Sequence, residues 1–471
     1  MKGSTDMSAA SELRIDETRI EQILRDNKKT DAVRVREILA KSRELKGVTP
    51  DEMAALMNIS DPELLGEMFQ TARFIKEEIY GRRLVLFAPL YISNLCCNEC
   101  LYCAFRRTNT EVKRRALTQD EIRRETEILI EQGHKRLLLV AGESYPHEGF
   151  EYILKSIQTV YDTRKGPGEI RRLNVNIAPL TIDEFKRLKD SAIGTYQIFQ
   201  ETYHRETYAK VHVGGRKSNF DWRATAPDRA MQAGIDDVGI GILFGLADWR
   251  YELLALMQHI EHLDTNYGCG PHTISVPRME PAVGSDIALH PPNPVSDIDF
   301  RKLVAILRIT VPYTGIIMST RETPNIRRET FALGVSQISA GSRTNPGGYA
   351  EGEDVDDMAQ FQLGDHRPLD EVIRDIATLG YIPSLCTACY RLGRTGGDFM
   401  DLAKPGLIKY YCGVNGLSTF MEYLLDYASP ETREVGERAI EAELAHMASG
   451  SVEKAKMMME QIKTGKRDVY I

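Results

Sequence analysis

Hydrophobic positions recur along the chain with two different periods, and the period changes near residue 80. Before that point apolar side chains repeat every three or four residues, as at Ala72, Ile75 and Ile79, which is the spacing of one helix face. Residues 49–52 carry a threonine cap, a proline at the first helical position and a glutamate at the third, the pattern of a capped helix start. Residues 1–80 are therefore predicted to form a helical N-terminal extension.

From residue 84 onward, short apolar runs alternate with stretches of helical period. The runs predicted as strands cover residues 84–92, 136–141, 173–177, 196–200, 237–242, 272–276, 315–318 and 335–338. Helical stretches lie between them, for example at residues 119–132, 150–162, 182–189 and 297–309. Repeated strand–helix units predict an α/β fold, a closed (β/α)8 TIM barrel over residues 81–345, with its chemistry at the C-terminal ends of the strands.

The rest of the chain, residues 346–471, is predicted to form a separate C-terminal domain. A loop is expected over residues 343–357, and helices are expected over residues 369–379, 418–427, 431–447 and 452–463. Cys386, Cys389 and Cys412 lie in this domain, and a group of cysteines outside a disulfide scaffold indicates a metal site.

Composition narrows the class of protein. Of the 471 residues, 42% are hydrophobic, which is enough for a large core, and the net charge is -8 with no basic stripe, which argues against a nucleic-acid partner. No run of 18 apolar residues occurs and residues 1–12 lack the apolar segment of a signal peptide, so we expect a cytoplasmic protein with no membrane partner. Most of the eight cysteines fall in two groups, which in a reducing compartment indicates metal rather than disulfides.

The first cysteine group directly follows the first predicted strand. Cys96, Cys100 and Cys103 have three and then two residues between them, a spacing that lets one loop hold an iron–sulfur cluster with one iron left open for chemistry. Spacing alone does not choose between Cys96 and Cys97, because Cys97 also forms a C-x-x-C-x-x-C series with the other two. Structural zinc is the alternative, although zinc normally needs four ligands and this loop offers no histidine.

This loop resembles the cluster loop of radical S-adenosylmethionine (SAM) enzymes, in which an aromatic residue, here Tyr102, commonly precedes the last cysteine. The resemblance implies that Cys96, Cys100 and Cys103 bind a [4Fe–4S] cluster and that Cys97 is spare. Tyr102 is expected to lie beside SAM.

Other positions resemble the SAM-binding residues of this superfamily. Gly142, Glu143 and Ser144 follow the second strand, where radical SAM enzymes hold the methionine amino group. Glu201 resembles the acidic residue that binds the SAM ribose in biotin synthase, and Arg223 resembles the arginine that meets the SAM carboxylate there. For Glu201 and Arg223 the alternative is a solvated loop charge.

Three positions are candidates for substrate binding. Arg321 follows the seventh predicted strand, where a fixed guanidinium suits bidentate capture of an amino-acid carboxylate. Ser339 and Ser342 follow the eighth strand and offer further hydrogen bonds. These segments look like those of aromatic-amino-acid radical SAM lyases, which implies catalytic roles for all three. A structural ion pair is the alternative for Arg321.

The second cysteine group resembles the accessory-cluster signature of the tyrosine lyases that mature FeFe-hydrogenase. Cys386, Cys389 and Cys412 have two and then 22 residues between them. His272 matches the family position that ligates an extra iron at that cluster, although a lone histidine at a strand end is more often a hydrogen-bonded core residue. Cys269, three residues earlier, is interpreted as a buried thiol.

The resemblance implies a lyase that cleaves L-tyrosine between Cα and Cβ to p-cresol and dehydroglycine, then forms carbon monoxide and cyanide for an iron–carbonyl–cyanide synthon. The implied cofactors are two [4Fe–4S] clusters, SAM, and an extra iron with a free cysteine as ligand. A reduced electron donor, an H-cluster assembly scaffold and companion maturases are the implied partners. Two alternatives stay open: a thiamine-pathway tyrosine lyase (2-iminoacetate synthase), which lacks the second cysteine pattern, and a non-catalytic iron–sulfur carrier, which needs neither the barrel nor a SAM site.

Overall fold

The computed structural model describes residues 12–352 and 358–471, so the first 11 residues and part of the loop expected over residues 343–357 lie outside the described chain. Helices precede the barrel, as the apolar period indicates: α1 Glu17–Asp26, α2 Ala32–Ser42, α3 Pro50–Met57 and α4 Pro62–Tyr80. The capped start of α3 is confirmed, since Thr49 Oγ1 accepts from the backbone N–H of Glu52 and the Glu52 carboxylate accepts from that of Thr49.

The predicted (β/α)8 barrel is present and closed. Its parallel strands are β1 Arg83–Ser93, β2 Arg136–Ala141, β5 Arg172–Asn176, β6 Tyr196–Glu201, β7 Val238–Ile242, β8 Thr273–Ser275, β9 Gly315–Met318 and β10 Gln337–Ser339. Each lies within about two residues of its predicted bounds. Closure is made where β10 pairs with β1, with Val85 opposite Gln337.

Helices alternate with the barrel strands, because the apolar sides of the strands and of the helices must bury one another. They are α5 Gln119–Glu131, α6 Phe150–Asp162, α7 Ile182–Asp190, α8 Arg205–Val211, α9 Phe220–Ala224, α10 Ala226–Gln232, α11 Trp249–Tyr267, α12 Asp286–Leu289, α13 Asp297–Thr310 and α14 Pro324–Leu333. A short hairpin, β3 Arg164–Lys165 and β4 Gly168–Glu169, joins α6 to β5 and was not predicted.

The chain after the barrel adds helices and one further strand. These elements are α15 Gly348–Glu351, α16 Leu369–Thr378, β11 Ile382–Ser384, α17 Ala388–Arg391, α18 Gly396–Ala403, α19 Ile408–Asp426, α20 Pro430–His446 and α21 Ser449–Lys463. Two expectations need correction here: α15 lies within the stretch expected to be a loop, and α19 begins ten residues before the helix expected at residue 418. The earlier start places Cys412 on a helix.

Strand β11 is the element that ties this C-terminal part to the barrel. It pairs in parallel with the first residues of β1, Arg83 with Ile382 and Val85 with Ser384. β11 pairs only with the first three residues of β1, which lie at the N-terminal mouth of the barrel. The segment that follows β11 therefore lies near that mouth, whereas the segment that follows β1 lies at the C-terminal mouth. None of the helices in the described ranges combines the length and the apolar character that crossing a bilayer requires.

Candidate functional site

The loop after β1, residues 94–117, is fixed by hydrogen bonds on both sides. Asn94 donates from Nδ2 to the carbonyl of Lys113 at 2.8 Å and accepts from the backbone N–H of Arg115 at 2.7 Å, so one buried side chain closes the loop. Farther along, the backbone N–H of Glu99 donates to Gly214 at 2.9 Å and that of Leu101 donates to Val211 at 2.9 Å. The cysteines therefore lie on a rigid segment.

The structure brings Cys96, Cys100 and Cys103 together and directs Cys97 elsewhere. Burial raises the pKa of Cys96 to about 11 and that of Cys100 further, and the neighbouring Cys103 thiol adds to both shifts, as does Cys96 to that of Cys100. The Cys97 thiol instead donates to the carbonyl of Glu143 at 2.9 Å. This geometry favours the Cys96 triad, the choice that spacing left open.

The zinc alternative finds no support in this geometry. Among residues 12–352 and 358–471, no group of three or more histidine, cysteine, aspartate or glutamate side chains is arranged to hold a single metal ion. Burial raises the pKa of the Cys96, Cys100 and Cys103 thiols, so they stay protonated until a centre that binds them displaces the protons.

The turn after β2 lies directly against the cysteine loop. The backbone N–H of Gly142 donates to Ser93 at 2.9 Å and that of Ser144 donates to Leu95 at 3.2 Å. A Cβ at position 142 would lie 2.2 Å from the Leu95 carbonyl oxygen, so only glycine fits there. The predicted Gly142–Ser144 turn is thus held by its backbone to the loop that carries Cys96.

Glu143 and Arg223, predicted separately, form a buried ion pair. One Glu143 oxygen accepts from Arg223 Nη1 at 2.7 Å and the other accepts from Asn98 Nδ2 at 2.7 Å. Burial opposes ionisation of Glu143, but the charges of Arg223 and Lys217 outweigh it and lower its pKa. The pair is therefore charged, and the reading of Arg223 as a solvated loop charge is wrong, since the side chain is buried.

Glu201 ends β6 in a constrained conformation. Its φ is +72°, in the left-handed region that residues other than glycine rarely adopt, and the pairing with β7 shifts register there. Its carboxylate accepts from Lys217 Nζ at 2.6 Å, with both side chains almost fully buried.

Lys217 was not singled out from the sequence. Its backbone N–H donates to Asn98 Oδ1 at 2.9 Å, so it joins Glu201 to the Asn98–Glu143–Arg223 chain. The only sequence signal is a lysine in a glycine-rich segment, which is too common to predict a site. Lys217 also lies 5.7 Å from the ring centre of Tyr102, whose hydroxyl hydrogen-bonds His212 Nε2 at 2.8 Å.

A cavity of about 150 Å³ lies at the C-terminal mouth of the barrel, and we call it the upper cavity. Tyr102, Cys103, Glu201, Arg321 and Ser339 all line it. One cluster candidate, two SAM candidates and two substrate candidates thus share one cavity, whereas Glu143, Ser144 and Arg223 line a separate cavity together with Cys97 and Lys217. Ser342 is not among the described residues that line it, and its buried hydroxyl has no hydrogen-bond partner within the described chain.

The C-terminal part of the chain contributes to this upper cavity. Gln360 accepts from the Tyr91 hydroxyl at 2.7 Å, and Phe361 lies under the guanidinium of Arg321 with 3.2 Å between the Arg321 carbon and the ring centre. Arg321 forms no ion pair with another residue of the described ranges, so the structural ion-pair alternative is not supported. Burial lowers the Arg321 pKa, with Tyr91 and Glu201 acting against that shift.

The second cysteine group forms a separate site at the N-terminal mouth. Cys386, Cys389, Cys412 and His272 line one cavity of about 40 Å³, the lower cavity. A hydrogen bond from the Cys412 thiol lowers the pKa of Cys389 to about 6, while burial raises that of Cys386. Residues more than 100 positions apart in sequence therefore converge as the resemblance implied.

Arginines that were not predicted surround the lower cavity. The first three barrel strands β1, β2 and β5 each begin with Arg-Leu, and because parallel strands start at the same mouth, Arg83, Arg136 and Arg172 converge there. Arg136 donates to the Cys386 carbonyl at 2.7 Å, and Arg172 stacks on the ring of Tyr390. The repeated Arg-Leu start is the sequence signal that identifies them.

His272 is held from two sides. Its Nε2 lies 3.3 Å from the hydroxyl of Tyr390, and its Nδ1 lies 3.9 Å from a carboxylate oxygen of Asp237. Burial lowers the His272 pKa, so the ring is neutral and able to act as a metal ligand. His272 Nδ1, Thr387 Oγ1 and Arg83 Nε are buried without hydrogen-bond partners in the described chain, which fits a site that receives a polar group.

One layer of barrel side chains separates the two cavities. Val85 lines the lower cavity and Phe87 the upper one, and on β10 the same holds for Gln337 and Ser339. Residues two apart on a strand share a face and lie about 7 Å apart along it. The two sites therefore face the same barrel interior.

The radical SAM superfamily model matches residues 90–256, and the biotin and thiamin synthesis associated domain matches residues 275–382. The 2-iminoacetate synthase of Escherichia coli strain K12 is 33% identical over 340 residues, which cover 71% of this chain and 86% of that protein. The chain belongs to the radical SAM superfamily.

Solved structures extend the likeness to nearly the whole chain. A crystal structure of HydG, a maturase of the FeFe-hydrogenase, is 49% identical with a TM-score of 0.93 and covers 97% of this chain and 99% of its own. HydG from Carboxydothermus hydrogenoformans is 40% identical with a TM-score of 0.81, covering 94% of this chain and 97% of its own. This radical SAM protein therefore shares its C-terminal extension, and not only its barrel, with these structures.

Proposed function

We propose that this radical SAM protein is a carbon–carbon lyase that cleaves L-tyrosine between Cα and Cβ to p-cresol and dehydroglycine. A second conversion, of dehydroglycine to carbon monoxide and cyanide, is assigned to the lower cavity, and it would yield an iron–carbonyl–cyanide synthon for the H-cluster of FeFe-hydrogenase. The observation that carries the proposal is the presence of two thiol triads at opposite mouths of one barrel.

The two kinds of relative support the two halves of this proposal differently. The 2-iminoacetate synthase covers 71% of the chain, whereas the HydG structures cover 94–97% of it. Cys386, Cys389 and Cys412 lie in the C-terminal part that α17 to α21 build. The full-length likeness and this second set of candidate ligands favour a maturase over a lyase that stops at dehydroglycine.

The cysteine loop offers Cys96, Cys100 and Cys103 as ligands for a [4Fe–4S] cluster, and SAM would be held by Glu201, which lines the upper cavity, and by Glu143 and Arg223, which line a separate cavity. When bound, the reduced cluster and SAM supply a 5′-deoxyadenosyl radical. The chain's own contribution is enclosure and orientation, because so reactive a species must meet its substrate at contact distance and away from water.

Substrate orientation is assigned to Arg321 and Ser339, which line the upper cavity. Arg321 has a guanidinium without an ionic partner in the described chain, so it is available to bind the substrate carboxylate. Tyr91 and Phe361 supply aromatic surface for the ring of the substrate. Ser342 lies away from this cavity, and its assignment is not carried into the proposal.

In the lower cavity Cys386, Cys389 and Cys412 are the candidate ligands of the second cluster, and His272 is the candidate ligand of an extra iron with a free cysteine beside it. The arginines of the three strand starts balance the negative charge that thiolates and an anionic substrate bring. A product formed in the upper cavity would need to pass one layer of side chains. An external electron donor and an acceptor scaffold complete the sequence of reactions.

A double cysteine substitution distinguishes this proposal from its alternatives. In Cys386→Ser/Cys389→Ser we expect p-cresol formation to stay within about twofold of wild type while carbon monoxide disappears, since the upper triad is untouched. Cys269→Ala, which removes a buried thiol outside both triads, is the control and should keep both products.

The assay incubates the reduced, reconstituted protein with SAM and L-tyrosine. Chromatography measures p-cresol and 5′-deoxyadenosine, and the spectral change of haemoglobin measures carbon monoxide. Unchanged carbon monoxide in the double variant would reject the division between the two cavities. Absence of carbon monoxide from wild type, with p-cresol present, would identify a 2-iminoacetate synthase instead. If the wild-type protein forms no 5′-deoxyadenosine, the remaining alternative is a non-catalytic iron–sulfur carrier.

A further inference from the structure

Three charged side chains line the upper cavity among the described residues: Glu201, Glu280 and Arg321. Glu201 is already neutralised by Lys217 at 2.6 Å. Glu280 and Arg321 form no ion pair with each other or with another described residue, although they share this enclosure. The cavity therefore presents one unpaired anion and one unpaired cation, which is the complement of a zwitterion.

The fold explains why these two side chains are neighbours. Glu280 follows β8 and Arg321 follows β9, and these strands pair directly, with Ser275 opposite Ile317. The charged groups that act on the pKa of Glu280 are Glu322, Arg321 and Arg278. Arg278 and Glu322 are already bound to each other at 2.9 Å, so Arg321 is the one cation of this set left for a ligand.

We propose that Glu280 binds the α-ammonium group of the amino-acid substrate while Arg321 binds its carboxylate, and that Glu280 accepts one proton from that ammonium group. In this step one N–H bond breaks and one O–H bond forms, so an ammonium and a carboxylate become an amine and a carboxylic acid. The proton leaves to solvent when the cavity next opens. This inference rests on the proposed function, and it adds the group that recognises and neutralises the substrate nitrogen.

The electrostatics of the cavity support such a role. Most of the lining is apolar, including Phe87, Leu138 and Phe199, and an uncompensated ammonium there would be costly. Burial and the nearby Glu322 raise the pKa of Glu280 to about 7, which suits a group that exchanges a proton near neutral pH. The proposed lyase takes a hydrogen atom from the same nitrogen, so the protonation state of that nitrogen matters to the reaction.

The test compares two ligands that differ only in the amino group, L-tyrosine and 3-(4-hydroxyphenyl)propionate, by anaerobic calorimetry on the reconstituted protein with SAM. Glu280→Gln keeps the shape and removes the charge. We expect it to weaken L-tyrosine binding roughly tenfold to a hundredfold and to leave the propionate unchanged. Glu280→Asp should restore part of the preference for L-tyrosine, and Glu329→Gln, an exposed carboxylate on α14, should behave as wild type.

The pH dependence of L-tyrosine affinity distinguishes direct binding by Glu280 from a purely structural role of this residue. Wild-type affinity for L-tyrosine should fall roughly tenfold from pH 8 to pH 6 as Glu280 becomes protonated, and Glu280→Gln should show a flat profile over this range. An unchanged ratio of L-tyrosine to propionate affinity in Glu280→Gln overturns the inference. Failure of the proposed function reads differently, because wild type then makes no p-cresol from L-tyrosine.

Discussion

The contact between the turn after β2 and the cysteine loop can be tested with a single methyl group. Gly142 packs on the backbone of Leu95, the residue before Cys96, and a Cβ at position 142 would lie 2.2 Å from the Leu95 oxygen and 2.9 Å from its carbon. The obstacle is backbone and not a flexible side-chain end. In Gly142→Ala either the turn or the cysteine loop must move.

The size of the movement follows from the distance. Contacts of Cβ below 3.0 Å are essentially never adopted, so the 2.2 Å contact must open by roughly 0.8 Å. Because the same segment carries Cys96, and because Glu143 beside the mutation holds Arg223 at 2.7 Å, this displacement acts on cluster and SAM groups together. A misplacement of about 1 Å costs on the order of a hundredfold in rate, and the strain costs about 1–3 kcal/mol of stability.

The assay is single-turnover formation of 5′-deoxyadenosine by reduced protein with SAM, alongside iron and sulfide analysis and urea unfolding. Gly66→Ala in α4 is the matched control, since its Cβ would meet nothing within 4 Å, and it should be neutral or stabilising by up to about 1 kcal/mol. Gly142→Ala with a wild-type rate of 5′-deoxyadenosine formation would refute the reasoning. So would a loss of rate as large in the control.

Three further changes have defined outcomes. Asp365→Asn removes one charge from a fully buried pair with Arg327 at 2.7 Å and should cost about 3–5 kcal/mol of unfolding free energy in urea; a loss below about 1 kcal/mol contradicts this. Burial raises the pKa of Glu252 from 4.5 to about 7. The protonated form therefore contributes about 3 kcal/mol to the free energy of unfolding below pH 4.5, and this contribution is lost as the pH rises through 7. Glu252→Gln should flatten this pH dependence between pH 5 and pH 8. His272→Ala should leave p-cresol formation largely intact and lower the iron content per chain, and a normal iron content would exclude His272 as a ligand.

Local patterns in the sequence were enough to predict the barrel, and they also supplied the candidate cluster ligands. Strands such as β1, β2 and β7 are buried and are mostly apolar in sequence. Others, such as β5, β8 and β10, are short or contain polar residues, and their alternation with helical stretches indicated them. Cys96, Cys100 and Cys103 lie within one loop, and neighbours in sequence remain neighbours in space. Spacing left open the choice between Cys96 and Cys97, and a hydrogen bond from Cys97 to the carbonyl of Glu143, 46 residues away, favours Cys96.

Strand β11 and the early start of α19 escaped prediction because their identity depends on their partners. Ile382–Ser384 has three residues and contains a proline, so it carries no period of its own and is a strand only because the edge of β1 is available to it. Cys412 lies on α19 in a stretch that also contains two glycines, which weakened the helical pattern there.

The amino-acid sequence by itself determined which residues could bind metal and which segments could form a barrel, because both depend on residue type and short spacing. Only the tertiary structure decided that the two cysteine groups lie at opposite mouths, that Glu143 pairs with Arg223 and Glu201 with Lys217, and that Glu280 and Arg321 face the same cavity unpaired. The physical reason is the closure of the barrel by the pairing of β10 with β1. In a closed barrel all strands start at one mouth and end at the other, so charged residues distant in sequence become neighbours.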